Sequence, residues 1–192
     1  MQIIDDLIPT SLVKNIESLL LDSSFPWYYN SYVVDKSSIK ELPSFLIDDK
    51  TIETKQFTHI FFSDGDVKSQ FFHLITPFIA LLEKHTDTEL MGKLIRVKAN
   101  LLTKENYPED HYNTPHIDST LMPGISLLYY VNESDGDTFI FNEKQGVDKL
   151  TVKDRFTPKK GRCLYFDSDY YHASSCPKKT DVRVVINFLF RK

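Results

Sequence analysis

Three side chains carry the chemistry this chain can perform. His116 and Asp118 stand two residues apart in Thr114-Pro115-His116-Ile117-Asp118-Ser119, and His172 lies 54 residues beyond Asp118. In extended backbone, residues two apart point to one face, so an imidazole and a carboxylate can converge on a single ion. Alone, H-x-D is a weak signal, because a chain with 6 histidines can hold the same pair in a polar loop. His172, in Tyr170-Tyr171-His172-Ala173-Ser174, strengthens it. It follows the strand pattern of 162–166 across a short polar turn and is expected at a strand end. Two histidines and one carboxylate form the facial triad that holds non-haem Fe(II) and leaves coordination positions open. The imidazoles must be neutral and the carboxylate ionised, so metal binding should weaken as pH falls.

Arg183 is the fourth residue, 11 positions after His172. It sits in an apolar run, 182–190, whose alternation puts Arg183, Val185, Asn187 and Leu189 on one face and Val182, Val184, Ile186, Phe188 and Phe190 on the other. An arginine buried there is costly unless an anion meets it. A dicarboxylate would suit the guanidinium fork. An internal salt bridge, to Asp181 or another acid, or a solvated edge position, would explain the same residue.

These residues need a scaffold. Leu12, Val13, Ile16, Leu19 and Leu20 recur at helical spacing over 11–21. A second stripe follows Asp66: Phe71, Phe72, Ile75, Phe78, Ile79 and Leu82, with Pro77 expected to kink or split the helix. Between them, Phe25-Pro26-Trp27-Tyr28-Tyr29 reads as an extended aromatic connection. After Gly92 the pattern changes to short runs rich in β-branched and aromatic residues, at 93–102, 125–131, 138–141, 150–152, 162–166 and 182–190. Turn signals separate them: Pro123-Gly124, Asp135-Gly136-Asp137, Pro158-Lys159-Lys160-Gly161 and Pro177-Lys178-Lys179. The predicted architecture is one domain over 1–192, mainly β with N-terminal helices. Residues 1–92 supply helical and loop support, and 93–192 a jelly-roll backed by helices.

The ordered set resembles the 2-oxoglutarate- and Fe(II)-dependent oxygenase superfamily, nearest its prolyl-4-hydroxylase-like branch. The likeness runs from His116 to Phe190, and more weakly upstream to Leu94. It rests on H-x-D, the distal histidine, the basic residue after it, and two intervening stretches. Leu127-Leu128-Tyr129-Tyr130-Val131-Asn132 and Gly136-Asp137-Thr138-Phe139-Ile140-Phe141 are similar to the family's YYLN and GG strands, with Asp137 in place of the second glycine. Pro158-Lys159-Lys160-Gly161-Arg162, Phe166 and His172-Ala173 match its approach to the distal histidine. The resemblance implies a double-stranded β-helix, a jelly-roll of cupin-like form, with Fe(II), 2-oxoglutarate and O2 as cofactor and co-substrates. His116, Asp118 and His172 would be the metal ligands and Arg183 the anchor of the 2-oxoglutarate distal carboxylate. Tyr130 would hydrogen-bond that carboxylate, unless it is a core aromatic with a satisfied hydroxyl. Leu128 would pack on its carbon chain, Asn187 would line the cavity, and Asn100 would reach the co-substrate or iron-bound water. The implied reaction is hydroxylation of a C–H bond, with a prolyl residue as one candidate, releasing succinate and CO2.

The rest of the composition narrows the partners. A net charge of -4 and a pI near 5.9 give no generic attraction for nucleic acid. A nucleic-acid demethylase of the same superfamily would be expected to carry a second arginine six residues after Arg183, where Leu189 stands. A cupin-like metal-binding protein without oxygenase chemistry would not need Arg183. Two isolated cysteines, no basic apolar leader and no apolar run of membrane-spanning length point to a soluble, cytoplasmic protein. The partner is then an unidentified small-molecule or peptide substrate, and the oligomeric state is left open. The long segment 105–114 is the expected substrate contact, and the aromatic stretch around Trp27 the opposite wall.

Overall fold

Residues buried on alternating sides of a strand demand a layer on each side, and this requirement organises the chain. The computed structural model describes residues 1–34, 46–118, 124–144 and 149–192. Its strands are β1 (Gln2–Ile4), β2 (Tyr28–Asn30), β3 (Thr51–Ile52), β4 (Gln56–Ser63), β5 (Asp66–Val67), β6 (Leu94–Thr103), β7 (Tyr112–Asn113), β8 (Gly124–Tyr130), β9 (Thr138–Lys144), β10 (Val152–Phe156), β11 (Cys163–Asp167), β12 (Tyr170–Ser174) and β13 (Val182–Arg191). Helices α1 (Thr10–Leu20) and α2 (Thr76–Thr86) complete the frame. The large sheet has the order β1-β11-β8-β13-β6-β4-β2, with β5 on β4, and the small one β10-β9-β12. The neighbouring strands within both are antiparallel.

One core lies between the large sheet and the helices, where Leu127, Tyr129, Val184, Ile186 and Phe188 meet Ile16, Leu20, Phe78, Ile79 and Leu82. Phe78 stacks on Phe188 with centroids 4.7 Å apart. A second cluster, Leu128, Tyr130, Ile140, Leu164, Phe166 and Val185, fills the space between the sheets. The outer side of the small sheet is closed by Leu46 and Tyr112 on Phe139, Phe141, Tyr171 and Ala173. The central strand β13 is thus buried on both faces from Arg183 to Phe190.

The expected mainly β fold with helices on one side is present, and α1 and the strands after Gly92 fall close to their predicted positions. The fold settles one detail and corrects two. Pro77 splits the second apolar stripe: a 3₁₀ turn, Gln70–Leu74, precedes α2, and Pro77 occupies the first turn of α2, where no backbone donor is needed. Residues 1–92 are more than helix and loop, since β4 and β2 extend the large sheet beyond β6. The periodicity of β4 was obscured by His59, a buried polar residue that bonds Pro26 O at 2.8 Å and Ser69 Oγ at 2.7 Å. The strand expected at 150–152 forms at Val152–Phe156 instead. Pro123, half of one predicted turn, lies outside the described residues. Among the described residues no helix is long and apolar enough to cross a membrane, and both cysteines are buried and free.

Candidate metal and co-substrate site

The site is built where the H-x-D segment joins the edge of the small sheet. His116 pairs with His172 through two backbone hydrogen bonds, His116 N–H to His172 O at 3.0 Å and His172 N–H to His116 O at 2.9 Å. His172 is therefore inside β12, not at a strand end as its sequence suggested: the aromatic and small residues around it pair with β9. The Asp118 N–H donates to Ser168 O, which turns its carboxylate back toward the pair. One ligand atom from each of His116, Asp118 and His172 falls within 4.8 Å of the others. The His172 Nε2 to Asp118 Oδ2 distance is 3.6 Å.

Three donors hold Asp118. Asn187 Nδ2 reaches both oxygens at 3.1 and 3.0 Å, Ser126 Oγ donates to Oδ2 at 2.6 Å, and Arg96 Nη2 donates to Oδ1 at 2.9 Å. Burial alone would raise this carboxyl. Favourable electrostatic interactions with His172, Arg96 and His116, together with the Ser126 bond, outweigh it and hold Asp118 far below the usual carboxylate range. Burial, and then repulsion from His172, pushes His116 down to about 3. His116 Nδ1 is buried without a hydrogen-bond partner. A neutral imidazole with an orphaned nitrogen beside an ionised carboxylate is the protonation state that a divalent cation needs. These residues fit Fe(II).

A pH dependence of stability follows. His116 has an ordinary value of 6.5 and a folded value of about 3, so between these limits the unfolded chain binds the extra proton. Its contribution is complete above pH 6.5 and is lost as pH falls, by at most about 1.4 kcal/mol per unit. The Asp118 contribution persists until below its ordinary 3.8. Metal-free protein should therefore lose about 2 kcal/mol between pH 7 and pH 5 in urea unfolding. A flat profile would show that His116 is not held neutral.

Arg183 lies at the far end of β13 and is buried, with 3% of its surface exposed. The alternative of an internal salt bridge is not what the fold provides: among the described residues Arg183 makes no ion pair. Its Nε donates to Gly136 O at 2.7 Å and its Nη2 to Thr138 Oγ1 at 2.7 Å. The Tyr130 hydroxyl donates to the same Thr138 oxygen at 3.0 Å, so Tyr130 and Arg183 converge on one point. Burial lowers the guanidinium below its ordinary value, partly offset by Tyr130, yet an arginine remains charged. Gly136 makes room for it. A Cβ there would lie 2.6 Å from Ser175 O, 2.8 Å from Pro177 N and 2.9 Å from Arg183 Cδ. Gly136→Ala should cost about 2–3 kcal/mol, since two of these neighbours are backbone atoms. Denaturant unfolding checks it, and an unchanged midpoint would contradict the close packing.

The other expected residues are placed as follows. Leu128 is buried beside Tyr130 and Val185 between the sheets. Asn187 faces the site, and its main work is to bond Asp118. Asn100 pairs with Val185 and Thr58, between the Arg183 and Asn187 levels, and bonds none of the triad. Glu105, Tyr107, Pro108, Glu109 and His111 line a cavity of about 220 Å³ with Asp137, Arg155 and Cys176, whose lining includes neither the triad nor Arg183. Trp27 is no opposite wall: its indole N–H donates to Leu20 O at 3.2 Å, and β2 continues the large sheet. Arg96, Lys98, Ser126 and Thr138 were missed by sequence reasoning. For Arg96 and Lys98 the signal was present, because they alternate with Asn100 on one face of an otherwise apolar strand. Burial, then the neighbouring Arg96, brings the Lys98 ammonium down to about 8, against the pull of Asp118.

Residues 102–191 match the 2OG-Fe(II) oxygenase superfamily. Fe(II) and 2-oxoglutarate are the cofactor and co-substrate typical of it, and His116, Asp118 and His172 are the candidate for its metal triad. Several solved structures share the fold. An oxidoreductase of the 2OG-Fe(II) oxygenase family from Burkholderia pseudomallei aligns with TM-score 0.66 at 12% identity, over 98% of this chain and 84% of that one. A prolyl hydroxylase from Trichoplax adhaerens, in complex with a hypoxia-inducible-factor peptide, aligns with TM-score 0.59 at 13% identity over 98% and 82%. A non-haem α-ketoglutarate-dependent epimerase of nogalamycin biosynthesis aligns with TM-score 0.57 at 14% identity over 99% and 79%. No curated protein matches the chain.

Proposed function

We propose that this chain is an Fe(II)- and 2-oxoglutarate-dependent oxygenase that hydroxylates a C–H bond. Overall, R–H, O2 and 2-oxoglutarate give R–OH, succinate and CO2. The observation that carries the reading is the pairing of the converged triad with Arg183, a buried cation that no acid of the described residues neutralises. Bound Fe(II) supplies the redox chemistry with O2. The protein's own residues do the rest. Arg183 meets the distal carboxylate of 2-oxoglutarate, with the Tyr130 and Thr138 hydroxyls beside it. Leu128 and Val185 flank the carbon chain and exclude water from it. Asn187, Ser126 and Arg96 keep Asp118 ionised and aimed at the metal.

The family resemblance and the prolyl hydroxylase among the similar folds make a prolyl residue the first substrate class to try, in a peptide or as the free amino acid. An epimerase shares the fold at nearly the same similarity. The reaction outcome is therefore read from the product: hydroxylation places one atom of 18O2 in it, and epimerisation places none. The founding test is simpler. Folded protein with Fe(II) and 2-oxoglutarate should develop a visible metal-to-ligand band without oxygen, and should release succinate slowly once oxygen is admitted. Failure of both would end the oxygenase reading.

A further inference from the structure

Among the described residues the Lys98 side chain has no hydrogen-bond or ion-pair partner, although the polar side chains on either side of it bond Asp118. Val97 and Ala99 are buried in the helix-side core, so Lys98 points to the opposite face of β6, into the site. Its cross-strand neighbour on β13 is Asn187, which bonds both oxygens of Asp118. Arg96, two residues away on the same face, bonds Asp118 as well. On the β4 side the neighbour is Ile60, which offers no charge. Lys98 is thus flanked by two side chains that hold the Asp118 carboxylate, yet among the described residues its ammonium makes no hydrogen bond or ion pair. It is partly buried. A desolvated ammonium is unfavourable without an anion, and Asp118 is already engaged by three donors.

The charges around the site point the same way, granted the oxygenase reading on which this step rests. Arg96 is balanced by Asp118, and a divalent metal by the two carboxylates of 2-oxoglutarate. Lys98 and Arg183 remain, so the filled site still carries an excess of positive charge. We propose that Lys98 is a second carboxylate anchor of the site, gripping the acid group of a molecule bound beside the metal ligands. Two molecules can bring that group. One is 2-oxoglutarate through its 1-carboxylate. Leu102 lies opposite Arg183 and four residues from Lys98, which sets the two cations roughly 13 Å apart along the strands. A five-carbon diacid of about 5 Å, with a hydrogen bond of about 3 Å at each end, nearly spans that gap when the side chains lean inward. The other is a primary substrate that is itself a small carboxylic acid, such as a free amino acid.

The test uses Lys98→Met and Lys98→Arg beside wild type, each loaded with Mn(II), in calorimetric titrations. The first arm titrates 2-oxoglutarate. The second, at saturating 2-oxoglutarate, titrates a set of free L-amino acids, proline included, and their carboxamides. If the co-substrate supplies the acid group, Lys98→Met weakens 2-oxoglutarate binding at least tenfold and Lys98→Arg restores most of it. If the substrate supplies it, 2-oxoglutarate affinity stays within twofold, while an amino acid that binds wild type, and whose carboxamide does not, no longer binds Lys98→Met. The proposal is overturned when 2-oxoglutarate binds Lys98→Met as it binds wild type and either no free acid binds wild type or one binds both equally. Wild type that binds no 2-oxoglutarate overturns the oxygenase reading, and this inference with it.

Discussion

Asp118→Ala protein should bind no stoichiometric Fe(II) and should unfold about 3 kcal/mol more easily than wild type, even without metal. The two losses have one origin. Asp118 supplies the only carboxylate of the triad, and its oxygens are the acceptors for Arg96, Asn187 and Ser126. Removing it leaves a partly buried guanidinium without its counter-charge, a change that typically costs about 3–5 kcal/mol. Arg96 keeps some exposure, with 27% of its side chain accessible, which places the expected cost at the lower end. For a chain of this size that corresponds to a fall in Tm of roughly 6–12 °C. Asp118→Asn should fall less, since the amide oxygen still accepts from Arg96. Thermal melting with and without EDTA, and a metal titration followed by tryptophan emission or calorimetry, measure both effects. An Asp118→Ala protein that melts with wild type would remove the carboxylate from its structural role. One that still binds a full equivalent of metal would remove it from the triad.

Arg183→Met should behave in the opposite way, and that contrast separates a ligand anchor from a structural residue. In the ligand-free protein Arg183 is a buried charge with two neutral acceptors, Gly136 O and Thr138 Oγ1. Exchanging such a group for an apolar side chain of similar length is often neutral or stabilising. The ligand-free Tm should therefore hold or rise. Affinity for 2-oxoglutarate should drop about a hundredfold, the loss expected when a carboxylate forfeits two charge-assisted hydrogen bonds of about 1.5 kcal/mol each. The stabilisation by 2-oxoglutarate in a thermal-shift assay should then vanish at concentrations that saturate wild type. A 2-oxoglutarate requirement equal to that of wild type would exclude Arg183 from the co-substrate site. A Tm lowered as far as in Asp118→Ala would make it a structural cation.

The two variants differ because the fold treats two arginines differently. Arg96 meets an acid of the chain itself, whereas Arg183 is walled in by Gly136, Thr138 and Tyr130 and, among the described residues, ion-pairs with none. Neither fate is visible in the local sequence. Both arginines sit in apolar strands at alternating positions, and each invites a salt bridge as readily as a ligand. For Arg183 the nearest acid in sequence, Asp181, leads in the wrong direction. They stand two positions apart, but Arg183 is buried and Asp181 is exposed.

Much of the fold was legible because its signals are local. Period-two alternation placed β6, β8, β11 and β13 close to their observed positions, and the apolar stripes marked α1 and α2. Alternation on 182–190 also anticipated that Arg183 and Asn187 share a face opposite Val184, Ile186 and Phe188, the three that meet the helices in the fold. The failures share a cause: polar residues whose partners are distant in sequence. β4 was hidden by His59, which bonds Pro26 and Ser69, and β12 by its polar residues, of which Tyr170, His172 and Ser174 pair across to β9.

By itself the sequence pointed to the candidate metal donors, since two histidines and one carboxylate are the ligand types of a facial triad. It also determined the strand faces, since a period of two assigns every side chain to one side or the other. Tertiary structure alone decided which acceptors each cation meets. It brought His172 against His116 through a backbone bridge, hung three donors on Asp118, closed Gly136 over Arg183, and left Lys98 without an anion. The physical reason is range. Side-chain alternation is set by neighbours two residues away, whereas the cost of a buried charge is settled by whatever the fold places within hydrogen-bond reach, here from strands up to about ninety residues apart in the chain.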